Sequence, residues 1–303
     1  MIDLLRQRLK RHPATNAVQE EQVLKEMLQE LALYALWRGR FFEVAAFQGG
    51  TSLRILHGLP RFSEDLDFIL LEADPAFRWS PYFESLAGVL EQFGVRCELS
   101  ERGQMDKAVR EAMLKDNSLG RQLDLSFLDA RNPRKLKVKL EIDTHPPAGT
   151  GTTWHHLDFP VDFEVCAQDL PSNYALKLHA LLCRPYVKGR DWFDFAWYCK
   201  QETRPNLPHL AHALNQAGPW KGRDAQVDAR WLEGALAAKI EAIDWPSAAQ
   251  DVSPFLPGPE QASLSLWNER FFADKVRRLV QAVSGATEAG PNQVKRREPL
   301  PKL

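Results

Sequence analysis

The sequence predicts an α+β protein: a mixed sheet with helices in the first half, followed by a helical C-terminal region. Two patterns carry this. Between residues 66 and 165, short apolar or alternating runs recur, bounded by turn residues. From residue 170 to 283 the apolar spacing switches to the helical period. The two patterns are segregated rather than interleaved, which separates a sheet-built part from a helical part. The expected organisation is a domain over 1–168, a helical domain over 169–283 that completes its cleft, and a tail over 284–303. That tail is rich in Gly, Pro and charge and is expected to be disordered.

In chain order, residues 18–37 carry Leu24, Met27, Leu28, Leu31 and Tyr34 at helical spacing and predict an amphipathic helix. Residues 41–47 are short and apolar and read as the end of a second helix or a lead-in, broken by Gly49-Gly50. Residues 51–57 read as a helix that opens on hydroxyl residues and ends at Gly58-Leu59-Pro60. A strand is expected at 66–70, then a loop and a helix within 75–93. Further strands are expected at 95–100, 122–127, 136–143 and 159–165, with a helix at 108–115. Ser172 is the expected N-cap of a helix running to Cys183. An aromatic-rich helix starts near Asp191, and later helices are expected at 208–215, 228–243 and 263–283. No internal repeat is visible.

Composition narrows the function classes. Apolar residues make up 44% of 303, enough for a real core, and the formal net charge of −1 leaves no globally basic surface. Any nucleic-acid contact must be a local patch. One such patch is Arg131, Arg134, Lys135, Lys137 and Lys139, which reads equally as an RNA-backbone contact or as lysines blunting a sheet edge. Cys97, Cys166, Cys183 and Cys199 form no CxxC and no regular framework, and read as reduced thiols of a cytoplasmic protein. No signal peptide and no membrane span are expected. The histidines show no four-ligand zinc spacing, and neither GxSxG nor GxxxxGK[ST] occurs.

The chemistry concentrates in "GGTSLRILHGLPRFSEDLDF", residues 49–68. On a strand, Asp65 and Asp67 point to one face while Leu66 and Phe68 point to the other. Two carboxylates held a few Å apart repel unless a cation intervenes. Magnesium accepts one or two carboxylates together with phosphates and water. Upstream, Gly49, Gly50, Thr51 and Ser52 stand at a helix start, where free N–H groups and the helix dipole favour phosphate. Glycine lets the backbone approach closely, and the hydroxyls add donors. Alone, the glycine pair reads as a simple turn and the acidic pair as a solvated edge. In this order they point to a nucleoside triphosphate lying between a glycine turn and a metal.

This combination resembles the polymerase-β-like nucleotidyltransferase signature. The longer stretch "FQGGTSLRILHGLPRFSEDLDF" resembles the opening motif of the AbiEii/AbiGii toxin family of nucleotidyltransferases. It shares the intervening "LHGLPRFSEDLDF", which generic nucleotidyltransferases lack. The preceding "LQELALYALWRGRFFEVAAF" is similar to the family's lead-in. The resemblance implies that 1–168 is a nucleotidyltransferase domain with a polymerase-β-like core.

The family also carries a lysine on a later helix, followed by an R-D-x-x-D segment. Here "YALKLHALLCRPYVKGRDWFDFAWY" supplies Lys177 and then Arg190, Asp191 and Asp194. The resemblance implies that Lys177 and Arg190 bind the triphosphate and that Asp191 or Asp194 completes the pocket. A plain Lys–Asp bridge between packed helices is the competing reading. Polymerase-β-like enzymes commonly add a third strand carboxylate. In "KLKVKLEIDTHPP", Glu141 and Asp143 share the polar face and are both candidates for that third acid.

The expected activity is therefore a magnesium- (or manganese-) dependent, pyrophosphate-releasing transfer from a nucleoside triphosphate to an acceptor hydroxyl. The resemblance implies a toxin acting on RNA, with the 3' end of tRNA the expected acceptor, controlled by a separate antitoxin. Two other readings stay open: transfer to a protein or small molecule, and a non-catalytic nucleotide-binding relic.

Overall fold

The computed structural model describes residues 2–12, 14–102, 108–129 and 135–288. Seven strands form one mixed sheet: β1 (Ala45–Gln48), β2 (Leu66–Leu70), β3 (Cys97–Arg102), β4 (Val109–Asp116), β5 (Leu136–Asp143), β6 (Thr152–Leu157) and β7 (Phe163–Gln168). Their order is β3-β4-β5-β2-β1-β7-β6. β2 runs antiparallel to β1 and parallel to β5, while β1 is parallel to β7. Antiparallel partners β4 and β3 extend one side and β6 the other. The two central strands, β1 and β2, flank α3 (Gly49–His57) in sequence, so the glycine turn leaves the middle of the sheet.

One face of the sheet is covered by α2 (Ala17–Arg38), with α1 (Ile2–Arg11) packed on it and α4 (Ser80–Gln92) beside it. Asn16 caps α2 by accepting the Gln19 N–H at 3.0 Å. Leu28, Leu31 and Leu36 of α2 join Phe47, Leu66 and Phe68 in a single apolar cluster. That burial commits Leu66 and Phe68 inward and turns Asp67 to the opposite face, where the cleft lies.

After β7 the chain is helical: α5 (Leu170–Cys183), α6 (Gly189–Lys200), α7 (Leu207–Gln216), α8 (Ala229–Glu241), α9 (Trp245–Val252), α10 (Gly258–Gln261) and α11 (Glu269–Glu288). These helices build a second cluster around Tyr174, Trp192, Phe195, Tyr198, Trp245 and Phe272. Two residues of the first half, Leu53 and Leu59, belong to that second cluster. The α+β class holds, with the strands in the first half and the helical region after them.

Several elements depart from the sequence expectation. Residues 109–116 form β4, where a helix is expected. Ala, Glu, Met, Leu and Lys favour helix, but Arg110, Ala112, Leu114 and Asp116 alternate inward and pairing to β3 and β5 overrides propensity. Residues 122–127 form no strand. The Glu20 carboxylate instead accepts the N–H groups of Ser126, Phe127 and Leu128 at 2.7, 2.9 and 2.7 Å. Residues 41–47 are a single 3-10 turn followed by β1, not the end of a helix. The polar edge strand β6 and the helices α1 and α9 are additions to the expected elements. Asp169, not Ser172, caps α5, accepting the Ser172 N–H at 2.8 Å. Residues 284–288 continue α11, and the rest of the expected tail lies outside the described residues.

Candidate active site

The cleft is assembled from one acidic strand face, one glycine turn and one ionic cluster. Asp67 is the second residue of β2, and Asp65 lies just before that strand. The register sets Asp67 beside Gln48 of β1 and beside Glu141 of β5. Among the described residues, neither Asp65 nor Asp67 has a hydrogen-bond or ion-pair partner on its carboxylate. Burial, then Glu141 and Asp65, push the Asp67 carboxyl up to about 7. Burial, Glu141 and Glu64 raise Asp65 as well. Such a face lacks a positive charge.

The donor set fits a hard divalent cation, being all carboxylate oxygen with room for other oxygen ligands. It is not closed around one: among the described residues, no group of three or more His, Cys, Asp or Glu side chains has metal-holding geometry. Glu141 is drawn to Lys139 at 2.7 Å, which also reaches Glu111 at 3.3 Å. Asp143 lies two residues further along, opposite Ile69. Its carboxylate accepts the His145 N–H at 2.9 Å, and burial raises its pKa.

The glycine turn is pressed against these acids. Gly49 has φ of +77°, and a Cβ there would overlap Asp67 Oδ2. At Gly50 a Cβ would overlap the Arg61 Nη2. No side chain fits between the turn and either charge, and only glycine adopts the first conformation freely. Asn173 of α5 clamps the turn: its Oδ1 accepts the Gly49 N–H at 3.2 Å, and its Nδ2 donates to Ser52 Oγ at 3.0 Å. Ser52 Oγ donates in turn to the Gly49 carbonyl at 2.8 Å. The Thr51 hydroxyl donates to the Asp65 carbonyl and so ties α3 to the acidic strand. Both hydroxyls face inward and brace the turn. The N–H groups of Gly50 and Thr51, in the first turn of α3, have no intrahelical acceptor.

The second motif forms a buried network on α5 and α6. Lys177 Nζ lies 3.0 Å from Asp191 Oδ1 and 2.9 Å from Asp194 Oδ2. Burial acts to lower the Lys177 pKa, but Asp194 and Asp191 hold it above its usual value. Asp194 is fully buried and grips Arg61 through two contacts of 2.6 Å. Arg184 Nη1 reaches Asp191 Oδ2 at 3.1 Å. Burial favours the neutral acid at Asp191, but Lys177 and Arg184 hold it below the usual carboxylate range. Arg190 turns away from this network, pairing with Glu64 at 3.0 Å and lying over the Phe255 ring at 4.2 Å.

A cleft of 590 Å³ runs between sheet and α5, past Gly49, Asp67, Glu141, Asp143 and Lys177 to Arg184. That volume is within the range of small-ligand sites. Gly49 and Asp67 of the first motif and Lys177 of the second line this one cavity, with Glu141 and Asp143; Gly50, Thr51, Ser52, Asp65, Arg190, Asp191 and Asp194 do not line it. Sequence reasoning did not single out Arg61, Asn173, Arg184 or Lys188. Arg61 stands inside the quoted motif, but its partner is far away in the chain. Of the basic patch, Arg131 and Arg134 lie outside the described residues, and Lys135 is paired with Glu98 at 2.8 Å. All four cysteines are free, and no described helix is long and apolar enough to cross a membrane.

Comparison with known proteins places the chain in a family. No curated protein sequence matches the chain. Two crystal structures are similar over 89% of it. One, from H. pylori and assigned to a nucleotidyltransferase, is 16% identical, covered over 97% of its length, with a TM-score of 0.47. The other, JHP933 from Helicobacter pylori, is 17% identical, covered over 94%, with a TM-score of 0.48. The family model described as nucleotidyl transferase AbiEii toxin, type IV TA system, matches residues 31–281, which span both motifs and most of the helical half. The chain therefore belongs to the AbiEii family of nucleotidyltransferase toxins of type IV toxin–antitoxin systems.

Proposed function

We propose that the protein transfers a nucleotide from a nucleoside triphosphate to a hydroxyl of an RNA, with the 3' end of tRNA as acceptor, in the cytoplasm. Asp65 and Asp67 hold magnesium (or manganese), and their unpartnered, half-buried carboxylates, one on β2 and one just before it, are the observation that carries the reading. The bound cation supplies charge neutralisation at the transferring phosphate. The N–H groups of Gly50 and Thr51 meet phosphate oxygens at the opening of α3, while Gly49, Thr51 and Ser52 keep the turn against Asp67. Lys177, with two donors on Asp191 and Asp194, presents its remaining N–H to the cleft. Asp191 and Asp194 orient it, and Arg190 steadies Glu64 next to Asp65. The acceptor oxygen bonds to the α-phosphorus, the bond from that phosphorus to the bridging oxygen breaks, and pyrophosphate leaves. Glu141, beside Asp67 across the strand pair, takes the hydroxyl proton. Asp143 shapes the far wall.

The direct test incubates the protein with each labelled nucleoside triphosphate, magnesium and total RNA. The expected result is label on small RNA with wild type, and none with Asp67→Asn at unchanged far-UV circular dichroism. Undiminished transfer by the Asp67→Asn variant overturns the mechanism. Label that appears without RNA moves the acceptor to a protein or small molecule.

A further inference from the structure

One end of the cleft continues into a second hollow. Ala180 and Arg184 line both the 590 Å³ cleft that holds Gly49 and Asp67 and a smaller hollow of 150 Å³ at the α5–α6 loop. Three cations, Arg184, Lys188 and Lys239, stand around that hollow against one acid, Asp191. Its walls are apolar where Leu181, Trp192 and Ile243 line it. Tyr186 of the loop completes the lining and is 64% exposed.

We propose that this hollow and the Tyr186 ring hold the single-stranded end of the RNA acceptor and lead its terminal hydroxyl into the cleft. The assignment rests on the nucleotide-transfer reading above and deepens it by naming how the acceptor is held. An exposed aromatic ring beside an apolar wall suits the face of a nucleobase. A cavity of about 150 Å³ has room for a small aromatic ring. The three cations suit backbone phosphates on either side of that base. A base alone needs no cations and a free polyphosphate needs no ring, whereas a nucleic-acid strand uses both. On the transfer reading the donor's phosphates sit at the glycine turn, so phosphates for Arg184, Lys188 and Lys239 come from a second molecule. The shared lining at Ala180 and Arg184 joins that molecule's place to the cleft, as an acceptor requires. The loop that presents Tyr186 is fixed at both ends. The Arg184 N–H donates to the Ala180 carbonyl at 3.1 Å where α5 ends, and the Gly189 N–H donates to Asp251 Oδ2 at 2.8 Å where α6 begins. A Cβ on Gly189 would overlap the Ala248 carbonyl, so the loop lies close against α9. Pro185 restricts the backbone between them. Lys239 Nζ donates to the Arg184 carbonyl at 3.3 Å and ties α8 to the same loop. The Arg184 guanidinium lies 5.9 Å from the Tyr186 ring centroid, so charge and ring are presented together. A ring carried on a short, anchored loop loses little freedom on binding.

The test measures equilibrium binding of a fluorescein-labelled single-stranded RNA octamer with a free 3' hydroxyl to the full-length protein, by anisotropy over a range of salt. Tyr186→Ala is expected to weaken binding by about fivefold or more, the loss of one stacked base. Tyr186→Trp should restore it. Lys239→Gln should flatten the slope of log affinity against log salt by about 0.7, as for one phosphate contact on a single strand. The melting temperature of Tyr186→Ala should match wild type, because the ring is exposed. Wild-type octamer affinity in Tyr186→Ala, or an unchanged salt slope in Lys239→Gln, overturns the assignment and leaves nucleotide transfer standing. Weakened magnesium-nucleotide binding in Tyr186→Ala with octamer binding intact gives the hollow to the donor's base and overturns it too. Absence of octamer binding to wild type overturns both the assignment and RNA as the acceptor.

Discussion

At the scale of single residues, Asp67 is a group of the cleft whose charge state changes near neutral pH. Its carboxyl is held at about 7, against 3.8 for an ordinary aspartate, by burial, Glu141 and Asp65. A carboxyl raised on folding binds its proton more tightly in the native state. Its contribution to stability is present at acid pH and is lost as pH rises through about 7. In chelator, the melting temperature of wild type should therefore fall relative to Asp67→Asn as pH goes from about 5 to about 8. A difference between the two proteins that stays constant across that window would refute this state of Asp67. The Asp-x-Asp spacing and the glycine pair were legible because their logic is local: alternation on a strand and left-handed backbone at a turn. The placement of Arg61 was not, because its bonds reach Asp194, 133 residues further on. Nor did the pattern show that the Thr51 and Ser52 hydroxyls are occupied internally, since both bonds depend on how β2 and α5 pack against α3.

At the scale of elements, the strand alternation of β5 was readable because Val138, Leu140 and Ile142 are apolar on one face. The same period in β4 was masked by Arg110 and Asp116 at inward positions, and β1 is too short to show any period. Yet β1 and β2 decide the site, because their antiparallel pairing sets Gln48 beside Asp67 and delivers the chain directly into the glycine turn. The counterpart on the helical side is α5, which carries Asn173 one turn before Lys177. Asn173→Ala removes the acceptor of the Gly49 N–H and the donor to Ser52. The turn would be freed while Lys177, Asp191 and Asp194 stay paired. The expected result is loss of magnesium-nucleotide affinity by about tenfold, in line with one or two hydrogen bonds, with the melting temperature lowered only slightly. Retention of wild-type affinity in equilibrium binding would show that the turn is held without Asn173.

At the scale of the whole molecule, the cleft lies at the seam between two apolar clusters, and the seam is bridged rather than open. Leu53 and Leu59 are buried among the helices of the second half, and Arg61 reaches across to Asp194 in a pair that is almost wholly inside. Removing one partner of a buried pair leaves the other charge uncompensated and typically costs ~3–5 kcal/mol. We therefore expect the sheet-containing and helical halves to unfold as one unit, although their sequence patterns separate cleanly. The tryptophans of the helical half, Trp192, Trp197, Trp245 and Trp267 among them, weight fluorescence towards that half, while far-UV circular dichroism samples both. In denaturant the two signals should give coincident transitions for wild type. In Arg61→Met, where Asp194 loses both Arg61 contacts and keeps Lys177 alone, the midpoint should drop by the equivalent of ~3 kcal/mol, again with both signals together. Separate transitions in wild type, or an Arg61→Met midpoint within error of wild type, would mean that the halves are independent and that the cleft is held shut by something other than this bridge.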